Sequence, residues 1–331
     1  MLQGLHVPTI RRRSAIAGLV SLCLCSPAWT QTAWRPSGTV RIVVPFPPGG
    51  SADAAARILA EGLAVELKQP VIVENRAGAG TTIAAAHVAA SAADGTTLLL
   101  TGPISHIVSG ALYPRLRYDA LRGFVPVSQL TSAPFLIAVP AASPYRSLEE
   151  LLAAAKASPG RISYGSSGTG ASAHLVGEIL ASEAGANFLH VPYKGAGPAT
   201  IALIGGEIDF AVSDASAIPH LASGRLRALA VTTARRSALA PGVPSVVEAT
   251  GLNLDESAGI GILAAAGTPP AAVEALNAAI AKVASHEQFA KRLSSQGMEV
   301  AVAPAAQLGA SIDAIHRRYV PLVQRLGIKL E

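Results

Sequence analysis

The chain is poor in cysteine, aromatic residues and charge. Two of its 331 residues are cysteine, 4% are aromatic and 14% are charged. Both cysteines, Cys23 and Cys25, lie near the amino terminus. A chain that loses its first thirty residues therefore has no disulfide, no thiolate metal ligand and no cysteine nucleophile. Such a protein depends on its hydrophobic core, and about 300 residues are enough for two domains of ordinary size.

Long apolar runs and basic tracts are also absent from the sequence after the amino terminus. No later run approaches the roughly 20 apolar residues that span a membrane, so we expect a soluble mature protein. Lysine and arginine do not alternate with aromatic residues in any tract, which argues against nucleic acid as a partner.

The first thirty residues have the pattern of a secretory signal peptide. Arg11–Arg13 precede the apolar run Ala15–Cys25, and Ala28–Thr30 places small residues before a cleavage point near Thr30. The pattern predicts export to the periplasm and removal of residues 1–30. A retained anchor and a twin-arginine export route remain open. Cleavage removes three arginines and lowers the formal net charge from +5 to +2, so the basic composition does not indicate a polyanionic partner.

The sequence has no recognisable catalytic or metal-binding motif. Its histidines are scattered, without the His-Glu-x-x-His spacing of a zinc site. No Gly-x-Ser-x-Gly elbow lies at a strand-to-helix turn, and no loop has the Walker lysine or the dinucleotide-binding spacing. We therefore expect no catalytic residue, no metal and no cofactor. A secreted serine hydrolase that uses Ser166 or Ser172 is the remote alternative.

Short apolar runs alternate with alanine-rich helical segments, which is typical of an α/β fold with largely parallel sheets. The clearest unit has a strand at Val40–Val44, a turn rich in proline and glycine, and a helical pattern over Ala52–Leu67 with Ser51 as the predicted N-cap. A strand that turns through glycines into a helix N-terminus directs backbone N–H groups at an anion. This unit therefore predicts one half of an anion site.

Two further loops have the same character. Gly165–Gly170 joins a strand at Ile162–Tyr164 to a helix over Ala171–Ala184, and Thr101–His106 follows the strand Thr97–Thr101. Each loop by itself also fits an ordinary strand-to-helix turn, but three in one chain favour a binding cleft. Ligands of such sheets bind beyond the carboxyl ends of the strands. We therefore predict two α/β domains with a ligand cleft between them.

Charged residues are few around these loops. The loops contain no arginine or lysine, so a small carboxylate would be held by N–H groups, hydroxyls, water and helix dipoles rather than by an arginine clamp. Arg76 and Lys194 lie at other strand ends, where a salt bridge or a solvated side chain is the expected role. Asp53 and Asp214 are either structural caps or acceptors for a ligand.

The rest of the chain continues the same alternation. Ser147–Ala157 is predicted as a helix that opens with a capping box, and residues 234–251 as a loose segment. One long helix is predicted from Pro269 to about Ser294, and a terminal helix from Ala305 to about Leu326. Further strands are predicted at Val71–Glu74, Phe188–Tyr193, Ile208–Val212, Leu226–Val231 and Ile260–Leu263.

Many segments resemble, in order, those of the Bug-type solute receptors, the extracytoplasmic binding proteins of tripartite tricarboxylate transporters. The similarity begins at Val40–Asp53 and covers essentially the whole chain after the leader. The other similar segments are Pro70–Gly80, Ala93–Leu99, Ala111–Pro114, Tyr118–Asp119, Tyr164–Gly170, His190–Gly195, Gly224–Thr232 and Ala266–Pro269. The resemblance implies a periplasmic-binding-protein-like (Venus flytrap) fold that closes on a small carboxylate and delivers it to membrane transporter subunits. We expect a monomer that is not an enzyme. A receptor of the same fold that reports to a membrane signalling partner is the alternative.

The resemblance also implies a domain division and a set of ligand contacts. Domain 1 would comprise residues 31–131 and 255–331, and domain 2 residues 132–254. The implied ligand-binding residues are Phe46, Gly50, Ser51 and Asp53 on one side, Ser166, Gly168, Thr169 and Ser172 on the other, and Thr101, Gly102 and Asp214 nearby. The chain departs from the usual family pattern at Ala77, Pro103 and Gly259, and the last two positions would alter the cleft wall. The resemblance therefore does not identify the carboxylate.

Overall fold

The computed structural model describes Gly4, Trp34–Tyr113, Arg115–Tyr193 and Gly195–Gly327. The predicted signal peptide, its cleavage point and both cysteines lie outside the described residues, and so does Lys194. By its contacts, the chain from Trp34 onward forms one unit. Within the described part, none of the helices combines the length and the apolar character that crossing a membrane requires.

The strands of the described residues form two sheets. In chain order they are β1 Val40–Val44, β2 Val71–Asn75, β3 Thr97–Thr101, β4 Phe124–Ser132, β5 Leu136–Pro140, β6 Ser163–Ser166, β7 Leu189–Pro192, β8 Phe210–Ser213, β9 Leu226–Val231, β10 Ile260–Ala265 and β11 Glu299–Pro304. Sheet one has the strand order β11-β4-β10-β3-β1-β2, and sheet two has the order β7-β6-β8-β5-β9. The chain crosses from sheet one to sheet two within residues 133–135 and returns within residues 232–259.

Helices connect most of the strands. They are α1 Ser51–Leu67, α2 Thr82–Ala89, α3 Pro103–Leu112, α4 Leu148–Ala157, α5 Ser172–Ala184, α6 Ala196–Ile204, α7 Ile218–Ala222, α8 Val246–Thr250, α9 Pro270–Ala284, α10 Glu287–Ser294 and α11 Ala305–Arg325. The predicted α/β class is therefore confirmed. The predicted domain boundaries stay a prediction.

Sheet one is covered by helices on both faces, which explains why its strands are apolar along their length. In β1, Ile42 packs in a core with α1, α9 and α10, whereas its neighbour Val43 packs in a core with α2, α3 and α11. Successive side chains of a strand point to opposite faces, so a strand buried on both sides needs apolar residues at every position.

Sheet two is covered in the same way. Tyr164 and Phe210 pack with α4, α5 and α8 on one face, and Leu136 and Ala211 pack with α6 on the other. Side chains from α3 and from the end of α11, including Tyr319, belong to the first of these clusters. These two helices therefore pack against sheet two as well as sheet one.

The prediction of largely parallel sheets is wrong, because one strand in each sheet arrives from the other sheet. β5 starts with Leu136 opposite Ser213, the end of β8. β10 pairs with β3 in the same way, with Gly261 opposite Thr101. A strand that starts where its neighbour ends must run antiparallel to it. β11 is also antiparallel to its partner β4, so both sheets are mixed.

Local details also differ from the sequence-based expectations. The helix predicted from Pro269 to Ser294 is broken after α9, where His286 has an extended backbone and starts α10. The break allows Phe289 and Leu293 to join the core beside α1. The segment 234–251 is not wholly irregular, since it contains α8 with a complete capping box at Ser245. The helices α6 and α7 were not predicted.

The capping box predicted at Ser147 is only half formed. The Glu150 N–H donates to Ser147 Oγ, so the cap itself is present. The Glu150 carboxylate accepts its hydrogen bond from the Arg146 N–H instead of the Ser147 N–H. The first turn of α4 is therefore anchored one residue earlier than the motif predicts.

Candidate functional site

A cavity of about 980 Å³ lies between the two sheets, at the ends of β1, β3 and β8 and the loop that follows β6. Its wall is built from the segments that follow these strands, the start of α6 after β7, the two crossings between the sheets, and residues 294–298, from the end of α10 up to β11. Among the described lining residues, Asp214 alone carries a formal charge, and the others are apolar residues, glycines, serines and one glutamine. This size and composition fit a site for a small ligand.

Apart from the short helix α7, four helices begin at this cavity: α1 and α3 on the sheet-one side, α5 and α6 on the sheet-two side. None of the four has a side-chain cap, so their first-turn N–H groups lack that partner. Their N-cap residues are Gly50, Gly102, Ala171 and Gly195. Helices α9, α10 and α11 are also uncapped. The distinctive feature is therefore the convergence of four such termini, which favours an anion.

The turn after β1 differs from the sequence prediction in two respects. The N-cap of α1 is Gly50, and Ser51 is the first helical residue. The Gly50 carbonyl already accepts the first helical hydrogen bond, from the Ala54 N–H. Of the residues predicted in this turn, Phe46, Gly50 and Ser51 line the cavity and Asp53 does not.

Asp53 is buried behind the turn, and its carboxylate is occupied by three donors. It accepts hydrogen bonds from Arg57 Nε at 3.0 Å, the Gly49 N–H at 3.0 Å and Asn75 Nδ2 at 2.9 Å. The hydrogen bond from Arg57, followed by those from Gly49 and Asn75, outweighs the effect of burial and lowers the pKa of Asp53 to about 2. Asn75 also donates to the Phe46 carbonyl. Asp53 therefore ties the turn to β2 and lies outside the described cavity wall.

The turn after β3 contributes Gly102, Ile104 and Ser105 to the wall. Thr101, which was predicted as a ligand contact, is buried behind it, and its Oγ1 has no hydrogen-bond partner among the described residues. Ser105 Oγ lies 3.2 Å from Ser172 Oγ of α5, within hydrogen-bond distance. This contact joins the sheet-one and sheet-two sides of the cavity.

Some residues in and beside the loop after β6 line the cavity, and others lie behind the wall. Ser172 lines the cavity, and so does Ser167, which was not predicted. Ser166 is fully buried: its Oγ accepts from the Gly168 N–H at 3.2 Å and lies 2.7 Å from His190 Nε2. Gly168 and Thr169 are not among the lining residues either. A serine next to a histidine is also the arrangement of a nucleophile and a base, but Ser166 does not reach the cavity.

Two charged residues considered from the sequence have clear partners. Asp214 lines the cavity, and its Oδ1 accepts from the Ser216 N–H at 2.9 Å, so it also caps the turn after β8. Arg76 lies outside the cavity wall and forms an ion pair of 2.6 Å with Glu74. The structural interpretation of Arg76 is therefore the one that the geometry favours.

The crossings between the sheets form part of the wall and are hydrogen-bonded to each other. The Ala258 N–H donates to the Ala133 carbonyl at 2.8 Å, and Ser132 Oγ lies 2.8 Å from Ser257 Oγ. Gly259 is packed so closely that a Cβ would lie 2.5 Å from the Thr131 carbonyl oxygen. A change of angle between the sheets would therefore alter the cavity directly. The sequence drew attention to Gly259, which lines the cavity, and to Pro103, which does not; no local sequence signal identifies the other residues of the crossings.

A second connection between the two sides involves Glu299 on β11. Its Oε1 accepts from Ser237 Oγ at 2.5 Å and from the Leu239 N–H at 3.1 Å. Ser237 and Leu239 belong to the segment between β9 and α8, and Leu239 lines the cavity. Within the described residues, no group of three or more histidine, cysteine, aspartate or glutamate side chains is placed to hold a metal ion.

Known proteins show similarity over most of the chain. The family described as "Tripartite tricarboxylate transporter family receptor" matches residues 55–328. The protein BugT of Bordetella pertussis is 35% identical over 298 residues, which cover 89% of this chain and 91% of BugT. A protein from the tcbD-tcbE intergenic region of Pseudomonas sp. strain P51 is 38% identical, with 88% of each chain covered.

Solved structures agree with this similarity. A TctC solute-binding protein from Polaromonas has a TM-score of 0.78 and 30% identity, covering 88% of this chain and 99% of that one. MatC from Rhodopseudomonas palustris, solved with bound malate, has a TM-score of 0.69 and 31% identity, covering 87% of this chain and 99% of MatC. The resemblance and the two-domain Venus-flytrap fold predicted from the sequence are thus confirmed, and the chain belongs to the receptor family of the tripartite tricarboxylate transporters.

Proposed function

We propose that this protein is a periplasmic receptor that binds a small organic carboxylate between its two sheets and passes it to a membrane transporter. The observation that carries the proposal is the convergence of four uncapped helix N-termini, two from each side, on one cavity. Each such terminus stabilises an anion by about 0.3–1 kcal/mol. Four together support reversible binding without an arginine or lysine in the described wall.

The relatives support the same class of ligand. MatC was solved with malate, and another R. palustris protein, with a TM-score of 0.73 and 29% identity, was solved with adipate. Both ligands are small carboxylic acids. The family name associates its members with transporters, and a solved neighbour with 34% identity is described as a periplasmic transporter.

The predicted site residues divide into two groups in this proposal. The ligand contacts are Phe46, Gly50, Ser51, Gly102, Ser172 and Asp214, together with Ser105 and Ser167. The other predicted residues, Asp53, Thr101, Ser166, Gly168 and Thr169, lie outside the described wall. Among them, Asp53 and Ser166 hold their loops from behind through hydrogen bonds with Asn75 and His190. Closure would be a shift of population between two angles of the sheets about the crossings near Ala133 and Ala258.

A thermal-shift screen tests ligand binding. The panel contains malate, adipate, aromatic monocarboxylates and acidic amino acids, and the matched controls are the neutral amides of the same acids. A carboxylate at 100 times its Kd adds about 2.7 kcal/mol to the free energy of unfolding, which raises Tm by a few degrees for a chain of this size. No shift with any acid, or equal shifts with the amides, would contradict the proposal. Uptake of the same acid by a deletion strain then tests delivery.

A further inference from the structure

Two histidines are stacked directly behind the β6–α5 loop, which comprises residues 167–171. His174 lies in the first turn of α5 and His190 lies on β7. Their ring centroids are 3.9 Å apart and the ring planes differ by 13°. His174 is almost completely buried and His190 is half-buried. Neither ring lines the cavity, so neither contacts a ligand there.

Both rings hold the backbone of this loop. The Gly170 N–H donates to His174 Nδ1 at 3.0 Å. Ser166 Oγ accepts from the Gly168 N–H and donates to the Gly168 carbonyl at 3.1 Å, so His190 Nε2, 2.7 Å away, is the donor in its hydrogen bond with Ser166. Two backbone N–H groups of the loop are therefore positioned, directly or through Ser166, by an imidazole nitrogen. The loop carries Ser167 and leads into the N-terminus of α5, both of which form the cavity wall.

The hydrogen bond from Gly170 determines the state of His174. A nitrogen that accepts a hydrogen bond has no proton, so the ring is neutral with its proton on Nε2. That nitrogen lies 3.8 Å from Glu178 Oε1. A second proton, on Nδ1, would set one N–H donor against another and break the contact with Gly170.

We propose that His174 and His190 are positioning residues that hold the β6–α5 loop in its binding form, and that a proton on His174 Nδ1 releases the Gly170 N–H, so that acid weakens ligand binding. The affinity part of this proposal rests on the proposed function, whereas the loop geometry does not. Because the rings are stacked, a proton on either one introduces a charge beside the other, and the pair responds as a unit.

The surroundings of the pair support the neutral form. Among the described residues, the titratable groups that face the pair are Tyr164 and Glu178. The Tyr164 ring lies 4.8 Å from the His190 ring, and the Tyr164 hydroxyl donates to Glu178 at 2.7 Å. Burial lowers the pKa of His174, although Glu178 opposes this effect. Burial, and then the neighbouring His174, lower the pKa of His190 to about 4. Binding should therefore be complete near neutral pH and decrease as the pH falls through these lowered values.

Matched variants of His174 distinguish the role of Nδ1 as a hydrogen-bond acceptor from the effect of a positive charge on the ring. Asparagine at position 174 places an oxygen near the position of Nδ1 and cannot take up a proton, whereas glutamine cannot place an acceptor there. The probe is adipate, with Kd measured by calorimetry from pH 8 to pH 3.5, so that the range extends below the pKa of His190. The ratio of wild-type to His174→Asn affinity at each pH cancels the titration of adipate itself.

At pH 8 we expect His174→Asn to bind within about threefold of wild type, and His174→Gln to bind at least tenfold more weakly. Below the pKa of the pair, the wild-type Kd should rise by up to about tenfold per pH unit relative to His174→Asn. Identical pH profiles for wild type and His174→Asn would overturn the proposal. So would wild-type affinity in His174→Gln.

Nuclear magnetic resonance of the ligand-free protein tests the geometry without any acid. The ¹⁵N shift of His174 Nδ1 should be that of an unprotonated nitrogen at pH 8, and the Gly170 amide signal should move with the titration of the ring. In His174→Asn the Gly170 signal should not change over the same range. A ring that titrates without moving Gly170 would overturn the proposal, whereas failure of every acid in the thermal-shift panel to bind would count against the proposed function alone.

Discussion

Replacing Gly50 with aspartate tests the central feature of the site, the open N-terminus of α1. Gly50 has φ −81° and ψ 170°, an extended conformation that any residue adopts. A Cβ at this position would contact only the Pro47 carbonyl oxygen, at 4.0 Å. Aspartate is a favoured N-cap and differs from glycine there by only a few tenths of a kcal/mol, part of which the nearby Asp53 charge offsets. Gly50→Asp should therefore fold with an almost unchanged Tm.

The effect on binding has two parts. The new carboxylate accepts from the first-turn N–H groups, which removes donors that are worth about 0.5–1.5 kcal/mol each. It also places a negative charge beside the ligand, and two like charges about 4 Å apart repel by about 4 kcal/mol at an effective dielectric constant of about 20. Repulsion of that size raises Kd by about three orders of magnitude.

Two further variants of Gly50 distinguish the loss of N–H donors from the charge repulsion. Gly50→Asn caps the helix as well as aspartate does but carries no charge, so its Kd should rise about tenfold. Gly50→Ala leaves the N–H groups free, so its Kd should stay close to that of wild type. Calorimetry with the tightest acid of the thermal-shift screen measures Kd, and a thermal melt of each variant confirms its fold. A folded Gly50→Asp that binds within tenfold of wild type would refute the role assigned to this terminus.

Three other predictions follow from the geometry. Asp53→Asn removes the charged partner of Arg57 and should lower the free energy of unfolding by about 1–2 kcal/mol. Its Kd should rise less than that of Gly50→Asp. An unchanged Kd and Tm would contradict the positioning role of Asp53. Glu299→Gln weakens the contact with Ser237 and should increase the radius of gyration of the ligand-free protein in X-ray scattering, with Ser237→Ala giving the same change; no change in either variant would count against this connection. Burial lowers the pKa of His106 to about 4, from an ordinary value of 6.5. The contribution of the neutral ring to the free energy of unfolding is therefore complete above pH 6.5 and is lost as the pH falls from 6.5 to about 4. Urea unfolding should show stability falling by up to about 1.4 kcal/mol per pH unit over this range, and His106→Gln should reduce this slope.

Much of the fold could be predicted because its signals are local. Strand β9 has the predicted bounds, and β1 and β3 do as well, since short apolar runs between turn residues identify buried strands. The glycine turns before α1 and α5 were also visible, because glycine and proline mark where a strand must end. The order of similar segments was sufficient to identify the family.

Strand direction and helix breaks could not be predicted in this way. An apolar run shows that a strand is buried, but the path of the chain between the sheets decides that β5 and β10 run antiparallel to their neighbours. The helical pattern through Ser285 and His286 continues without interruption in the sequence. Only the packing of Phe289 and Leu293 against the core beside α1 explains why the helix turns there.

The sequence by itself determined the fold class, the family and three of the loops that surround the cavity. Tertiary structure decided which side chains of those loops face the cavity and which hold the loops from behind. Ser51 and Ser172 face it, whereas Asp53 and Ser166 turn away to Asn75 and His190, which are 22 and 24 residues further along the chain. The reason is physical: a polar side chain in a loop takes the partner that burial brings within hydrogen-bond distance, and that partner lies on a neighbouring strand.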